Sequence, residues 1–356
     1  MTNKPKIAII RGKFLNRYEM QFFEPLIEDF DITAFGSLTP YHDRFVFPVV
    51  KLPSPMDIPD FPYKMPVLNR LCIDAHYLWG LEEKLKGFDL VHSAETYFHY
   101  TQQALTAKRK GYVKKVIATV LENIPFNNEG IWGRKAFKER ARNELDHIIA
   151  LTNKTKEALL AEGADVKKIT VISHYVDTKR FHPVQKRDSK NLTVLFVGRL
   201  EEEKGVLDVV QVARLFPDVR FLFVGDGSLK NRVLEHRMVS YDEMPAVYRE
   251  ADIFVAPSKP RVTWEEQYNT ALLEAQASGL PIVTTSSGGI PENVGDAAMI
   301  VPPGDVRAIA ESLKRFILNA SLRRQYGIKA RARAERVHDI TIGSRKLKDL
   351  YLSLLP

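Results

Sequence analysis

Short apolar runs recur along the chain and alternate with stretches in which apolar residues return every three or four positions. In the first half the runs fall at 6–10, 32–35, 46–52, 90–93, 115–120, 147–151 and 168–173. Helical spacing fills 18–29, 68–85, 100–110, 135–146 and 154–162. Runs apolar on both faces, each followed by a helix, predict a parallel sheet covered on both sides. The pattern restarts after 190, with strands at 192–197, 219–224, 252–256, 281–285 and 298–301 and helices at 306–318 and 321–337. Each of these later strands runs into turn residues: Gly198, Gly225-Asp226-Gly227, Pro257-Ser258, Gly288-Gly289 and Pro302-Pro303-Gly304. In a doubly wound sheet such loops share the edge where ligands bind.

The break between the halves is Pro-Val-Gln-Lys-Arg-Asp-Ser-Lys at 183–190, polar and opened by proline, and it reads as a linker. The expected organisation is therefore α/β, with a Rossmann-like domain at 1–182 and a second at 191–337. A tail at 338–356, apolar at Ile342, Leu347, Leu350, Tyr351 and Leu354, is expected to pack back on the first domain.

A chain of 356 residues with 45% hydrophobic content is large enough for two cores. Its formal charge of +8 is concentrated. Between 101 and 145 stand ten cations (Lys108, Arg109, Lys110, Lys114, Lys115, Arg134, Lys135, Lys138, Arg140, Arg142) against four acids. Read linearly, 108–142 is either a solubilising surface or a basic patch for anionic membrane or nucleic acid. One cysteine, Cys72, excludes an intrachain disulfide, and the nine histidines show no metal-ligand spacing. No metal and no cofactor is expected. The N-terminus has no signal-peptide pattern and no apolar stretch approaches 18 residues, so the expected location is cytoplasmic.

The chemistry concentrates at 255–279. Glu266 precedes a helix that opens near Thr270, and Glu274 lies about one turn inside it among Leu272, Leu273 and Ala275. The first-turn amides near Thr270 and Ala271 form an anion seat, and a carboxylate in an apolar helix needs a partner or an open cavity. Capping or a solvated face would explain the same residues equally well. In the loop Gly198-Arg199-Leu200-Glu201-Glu202-Glu203-Lys204-Gly205, Arg199 and Lys204 could hold a diphosphate or pair with neighbouring acids. In the first half, Gly12 follows the first strand as a further donor-binding candidate, and Glu95, His99 and Glu122 follow the fourth and fifth. These three are acceptor-side candidates.

Gly198-Arg199-Leu200, Glu203-Lys204-Gly205, Gly225-Asp226-Gly227, the run from Ala251 to Ser258, Glu266 with Glu274, Gly279-Leu280-Pro281, Gly288-Gly289-Ile290-Pro291-Glu292 and Pro302-Pro303-Gly304-Asp305 stand in order over most of 190–320. The second half thereby resembles the retaining nucleotide-sugar glycosyltransferases of family four, with a GT-B fold of two Rossmann-like domains facing each other across a cleft. The resemblance implies that Arg199 and Lys204 bind the donor diphosphate and that Glu274 takes the ribose hydroxyls. It places Glu266 at the transferred sugar, with Glu266, Arg199 and Lys204 as the catalytic set. The backbone at Tyr268, Asn269, Thr270 and Ala271 would complete the phosphate seat, and a strand edge at Arg237 and Met238 would read the base.

The implied reaction moves a hexose from a nucleoside diphosphate sugar such as a UDP or GDP sugar to a glycan or lipid-linked acceptor, without metal. An anionic membrane surface at the inner face of the cell membrane is a further candidate partner; nucleic acid is not expected. Gln267-Tyr268-Asn269 replaces the family's Gly-Phe-Gly, Ala94-Glu95 stands where many relatives carry a second histidine, and His174-Tyr175 replaces Asn-Gly. Two other readings are open: a non-catalytic sugar-nucleotide, membrane or nucleic-acid binding protein using 108–142, and a GT-B enzyme that uses free phosphate.

Overall fold

The computed structural model describes residues 4–184 and 192–355. Of the linker read at 183–190, residues 185–190 lie outside the described ones. The chain divides into two compact units, Met1–Ser173 with Gly343–Pro356, and His174–Ile342.

The first unit is built on seven parallel strands, β1 Lys6–Gly12, β2 Asp31–Gly36, β3 Val49–Lys51, β4 Phe88–Ala94, β5 Val113–Val120, β6 His147–Ala150 and β7 Ile169–Val171. Their order is β3-β2-β1-β4-β5-β6-β7, so the winding reverses between β1 and β4. Ile10, Val91, Ala118 and Ile148 are buried in the core, where Tyr100 and Leu105 of the helix His99–Arg109 pack on them. From Gly343 onward the tail belongs to this unit: Tyr351 Oη lies 2.6 Å from His92 Nδ1, and Lys348 pairs with Asp29 at 2.7 Å.

Residues 174–182, which the sequence groups with the first half, pack with the second unit. Val176 bridges to Asp339, and Phe181 is fully buried with its ring 5.7 Å from that of Tyr248. That unit has six parallel strands, β8 Thr193–Val197, β9 Arg220–Val224, β10 Glu235–Arg237, β11 Ile253–Ala256, β12 Ile282–Thr285 and β13 Met299–Val301, in the order β10-β9-β8-β11-β12-β13. Here the reversal falls between β8 and β11. β10 reads Glu-His-Arg and gives no apolar signal of its own.

Two elements differ from the sequence pattern. The single helix expected over 68–85 is two, Lys64–Leu71 and Leu81–Lys84. Between them Asp74 accepts from the backbone of His76 (3.0 Å), a local turn that competes with helix, and Gly80 takes φ 79°. The helix over 18–29 is a short α-turn Arg17–Met20 followed by a tighter 3-10 segment Gln21–Glu28 containing Pro25.

The basic patch at 108–142 is not an array of free charges. Lys108 and Lys115 pair with Asp146, Lys110 with Glu82, Lys114 with Asp89, Arg109 and Arg140 with Glu144, Arg134 with Asp74, and Lys138 and Arg142 with Glu162. Asp74, Glu82, Asp89, Asp146 and Glu162 all come from outside the window that looked so positive. A linear count cannot see acids that folding brings alongside. Lys138 and Arg142 are buried, so their charges serve this ion-paired interior of the first unit.

Glycine at 205 shapes the second unit's ligand edge. Its φ is 73°, and an added Cβ would lie 2.1 Å from the Pro257 carbonyl oxygen. The loops after β8 and β11 can touch only because no side chain stands there. Gly205→Ala is expected to cost roughly 3 kcal/mol from left-handed strain plus overpacking. Urea unfolding would measure it, and an unchanged midpoint would contradict the close approach.

Candidate functional site

The reversal between β8 and β11 is the position at which an open α/β sheet offers a crevice to a ligand. Lys204 arrives there at the end of the β8 loop, and Ser258 and Glu266 arrive in the loop after β11. Glu266 Oε2 accepts from Lys204 Nζ at 2.6 Å and from Ser258 Oγ at 2.7 Å, with Asn269 Nδ2 at 3.4 Å. Lys204 Nζ also lies 5.0 Å from the centre of the Trp264 ring, a cation–π contact. Both partners are largely buried, so this pair is held at low dielectric and its charges reach further than a surface pair's would.

The loop that carries Glu266 is pinned from its other side. Glu266 N donates to Ser287 Oγ (3.3 Å), and Gly289 N donates to the Glu266 carbonyl (2.8 Å). Asn293 Nδ2 donates to the carbonyls of Tyr268 and Asn269, while Asn293 Oδ1 accepts from Gln276 Nε2 at 2.8 Å. Asn269 takes φ 59° immediately before the helix Thr270–Ala277. The first-turn amides of Thr270 and Ala271 therefore start outside the helix's own hydrogen-bond ladder, at the positive end of its dipole. The Asn269 side chain just before them reaches the same Glu266 Oε2 that holds the Lys204 ammonium.

Glu274 sits one turn further on and is buried. Tyr248, itself fully buried, donates its hydroxyl to Glu274 Oε2 at 2.8 Å. Burial pushes the Glu274 carboxyl up to about 7, against the pull of the Tyr248 hydrogen bond and the Arg180 charge. It is thus close to half-ionised at neutral pH, able to accept from a diol as carboxylate or to donate as acid.

The other sequence candidates divide. Arg199 does not join Lys204: it is more than half exposed and its guanidinium donates to Glu203 at 2.9 Å. Arg237, on β10, pairs with Glu235 and Glu250, and Met238 beyond it is 67% exposed. In the first unit Gly12 ends β1 with φ 55°. Glu95, just past β4, takes φ 57° and accepts from Leu121 N at 2.9 Å, and it meets Glu122, whose charge adds to burial in raising Glu95 to about 8. Glu122 accepts from Ile124 N (3.0 Å) and Asn127 Nδ2 (2.6 Å). His99 turns elsewhere, with its Nδ1 3.3 Å from the Asp74 carbonyl oxygen and its ring against Tyr77 and Phe137.

Sequence reading missed Ser258, Tyr248 and Asn293 as working residues. Ser258 stood inside a matched segment, but there, as at Tyr248, a lone hydroxyl gives no spacing signal. Asn293 acts on main chain 24 or more residues away, which no local pattern carries. Among the described residues no cluster of three or more His, Cys, Asp or Glu could hold a metal ion, and no helix is long and apolar enough to cross a membrane.

Known proteins match most of the chain. The family described as Glycosyltransferase Family 4 matches residues 35–180, and Glycosyl transferases group 1 matches 177–333. A phosphatidylinositol N-acetylglucosaminyltransferase subunit from Arabidopsis thaliana is 29% identical over 63% of this chain and 54% of its own length. The capsular polysaccharide biosynthesis glycosyltransferase CapM of Staphylococcus aureus is 26% identical over 58% of this chain and 62% of its own. The matches thus span a little over half of these curated relatives.

Two solved structures share the fold end to end, each with a TM-score of 0.77: sucrose-phosphate synthase of Thermosynechococcus elongatus, at 18% identity over 99% of both chains, and Anabaena HepE in complex with UDP-glucose, at 16% over 98% and 99%. Two Rossmann-like units with reversed sheets, the Lys204–Glu266 pair at the second reversal and family matches that together run from 35 to 333 lead to one assignment: the chain belongs to the family-four-like glycosyltransferases of GT-B fold.

Proposed function

We propose that this glycosyltransferase moves a hexose, with retention at the anomeric carbon, from a nucleoside diphosphate sugar to a hydroxyl of a glycan or lipid-linked acceptor, without a metal ion. The observation that carries the reading is the Lys204–Glu266–Ser258 node beside the start of the helix Thr270–Ala277. Charge builds on the leaving diphosphate as the glycosidic bond lengthens. A buried ammonium and oriented backbone amides answer that charge without reorganising, and this replaces what a divalent ion would otherwise supply. Glu266, whose Oε2 accepts from three donors, is held in place by the loop and would meet hydroxyls of the transferred sugar. Glu274 would hold the ribose. The UDP-glucose bound to Anabaena HepE supports a nucleotide-sugar donor, and the capsular polysaccharide biosynthesis named for CapM and the phosphatidylinositol named for the Arabidopsis relative support glycan or lipid acceptors. A place at the inner face of the cell membrane follows from such an acceptor and belongs to the same proposal.

The test is a panel of UDP-, GDP-, ADP- and dTDP-sugars with EDTA present, scored by protection against unfolding and by release of nucleoside diphosphate. One donor at a hundredfold over its Kd should stabilise the chain by about 2.7 kcal/mol. Turnover that vanishes in EDTA and returns with magnesium would remove the metal-independent mechanism, and protection by none of the donors would remove the function.

A further inference from the structure

The chain passes between the two units twice, before His174 and after Ile342, and the second unit's share of both passages is stitched together. Val176 N donates to the His338 carbonyl at 2.8 Å, Ile340 N donates to the Val176 carbonyl at 3.1 Å, and the Thr178 hydroxyl donates to Asp339. Two residues beside these bonds, His174 and His338, meet the ring of a third, Tyr268, edge-on and each at 6.2 Å between centroids. Tyr268 is buried, and it stands between Glu266 and the helix Thr270–Ala277, in the loop that leads into the anion seat.

The hydrogen bonds give this contact a direction. His338 Nε2 lies 2.8 Å from the Asn293 carbonyl oxygen, which can only accept, so Nε2 carries the proton. In the neutral ring Nδ1 is then the acceptor, and the Tyr268 hydroxyl donates to it across 3.4 Å. The same Asn293 donates through Nδ2 to the carbonyls of Tyr268 and Asn269, so Tyr268 is tied by side chain and main chain to the one pair of residues. His338 ends a π-helical turn, Ala334–His338, a rare geometry that recurs where a helix serves function.

The residue types at this contact are the chain's own. Tyr268 is the centre of Gln267-Tyr268-Asn269, which replaces Gly-Phe-Gly, and His174 opens His174-Tyr175, which replaces Asn-Gly. A phenylalanine would fill the same ring space and offer His338 no hydroxyl. The two departures, 94 positions apart, meet at one ring.

We propose that Tyr268 is a positioning residue: acting through His338, its hydroxyl ties the anion seat at 269–271 to the stitched crossover segments, so that seating a donor diphosphate also orders those segments. The proposal rests on the transferase reading above. Coupling of this kind is reciprocal, so loosening the crossover segments weakens the seat by the same factor.

Amide hydrogen exchange at Val176 and Ile340 tests it, in the full chain with UDP, GDP, ADP or dTDP added. The diphosphate that protects the chain against unfolding should slow both amides roughly tenfold in wild type, and about twofold or less in Y268F at matched occupancy. With the corresponding sugar donor at saturation, Y268F should lose roughly fivefold in turnover, the worth of one hydrogen bond. H338Q, which keeps an N–H for Asn293 but no acceptor at the Nδ1 position, should uncouple the amides in the same way. Y268F/H338Q should be no worse than either single variant, because each removes the same bond.

A tyrosine that merely packs would leave the response of Val176 and Ile340 unchanged in Y268F. That result, or additive losses in the double variant, overturns the proposal. If a diphosphate protects the wild type while both amides exchange as before, the coupling alone falls; if none protects it, the transferase reading falls too.

Discussion

Lys204→Ala is expected to lower turnover at saturating donor by roughly 10²–10³, the range seen when one oriented donor is removed from developing negative charge. The argument rests on where the ammonium is held. Its partner Glu266 is buried and also takes Ser258 and Asn269, and Trp264 closes over the cation, so the charge stays at low dielectric and cannot relax into solvent. A group that acts on the leaving diphosphate changes kcat more than donor affinity.

The same deletion strands a buried carboxylate, so the variant should also unfold roughly 3 kcal/mol more easily. Lys204→Met with Glu266→Gln removes both charges together. It should recover much of the stability and none of the turnover, which separates the chemical role from the structural one. Arg199→Ala is the internal contrast: an exposed guanidinium bonded to Glu203 should be worth tenfold or less. Equal losses at Arg199 and Lys204, or a Lys204→Ala enzyme with normal kcat and raised KM, would show that the buried pair is not what answers the leaving charge.

How far the sequence reaches is visible in these two cations. Apolar periodicity located every strand of the first sheet, because β-strands buried on both faces write themselves as continuous runs. It failed at β10, whose three residues are polar, and at 68–85, where Asp74 captures the backbone that a helix would use. For the site, spacing brought Lys204 and Glu266 into neighbouring loops but could not distinguish Lys204 from Arg199. That choice depends on Gly205 letting the β8 loop touch Pro257, a contact between residues more than fifty positions apart.

The ion pairing of the basic patch was hidden for the same reason in reverse, since most of the acids that pair with it come from outside its window. The Asp74–His76 pair was invisible because two polar residues inside an apparent helix read as its solvated face. Once the chain turns there, Asp74 holds the His76 ring and the Arg134 guanidinium together.

The pH dependence of stability should carry the signature of two buried glutamates. Glu95 and Glu274 are both raised above the ordinary 4.5, chiefly by burial, to about 8 and about 7. For an acid raised in the folded state, the stabilising difference is complete below 4.5, where both states are protonated. It is lost as pH rises, because the unfolded chain ionises first, and it levels off once the folded group ionises too. The loss from Glu274 should run from pH 4.5 to 7 and amount to about 3 kcal/mol, and that from Glu95 should continue to pH 8.

Buried His92 works against them. Burial keeps its ring well below the usual imidazole range, so it costs stability as pH falls through 6.5. The wild-type curve therefore mixes opposing slopes, and the clean quantity is a difference between proteins. Urea midpoints at pH 5 and pH 8 should fall less for Glu274→Gln and for Glu95→Gln than for wild type, since neither glutamine can ionise. Identical falls in all three would mean that these carboxyls are not held protonated. Donor binding should then tighten as pH rises through about 7, because ionised Glu274 can accept two ribose hydroxyls where the acid accepts one, and that gain should be absent in Glu274→Gln.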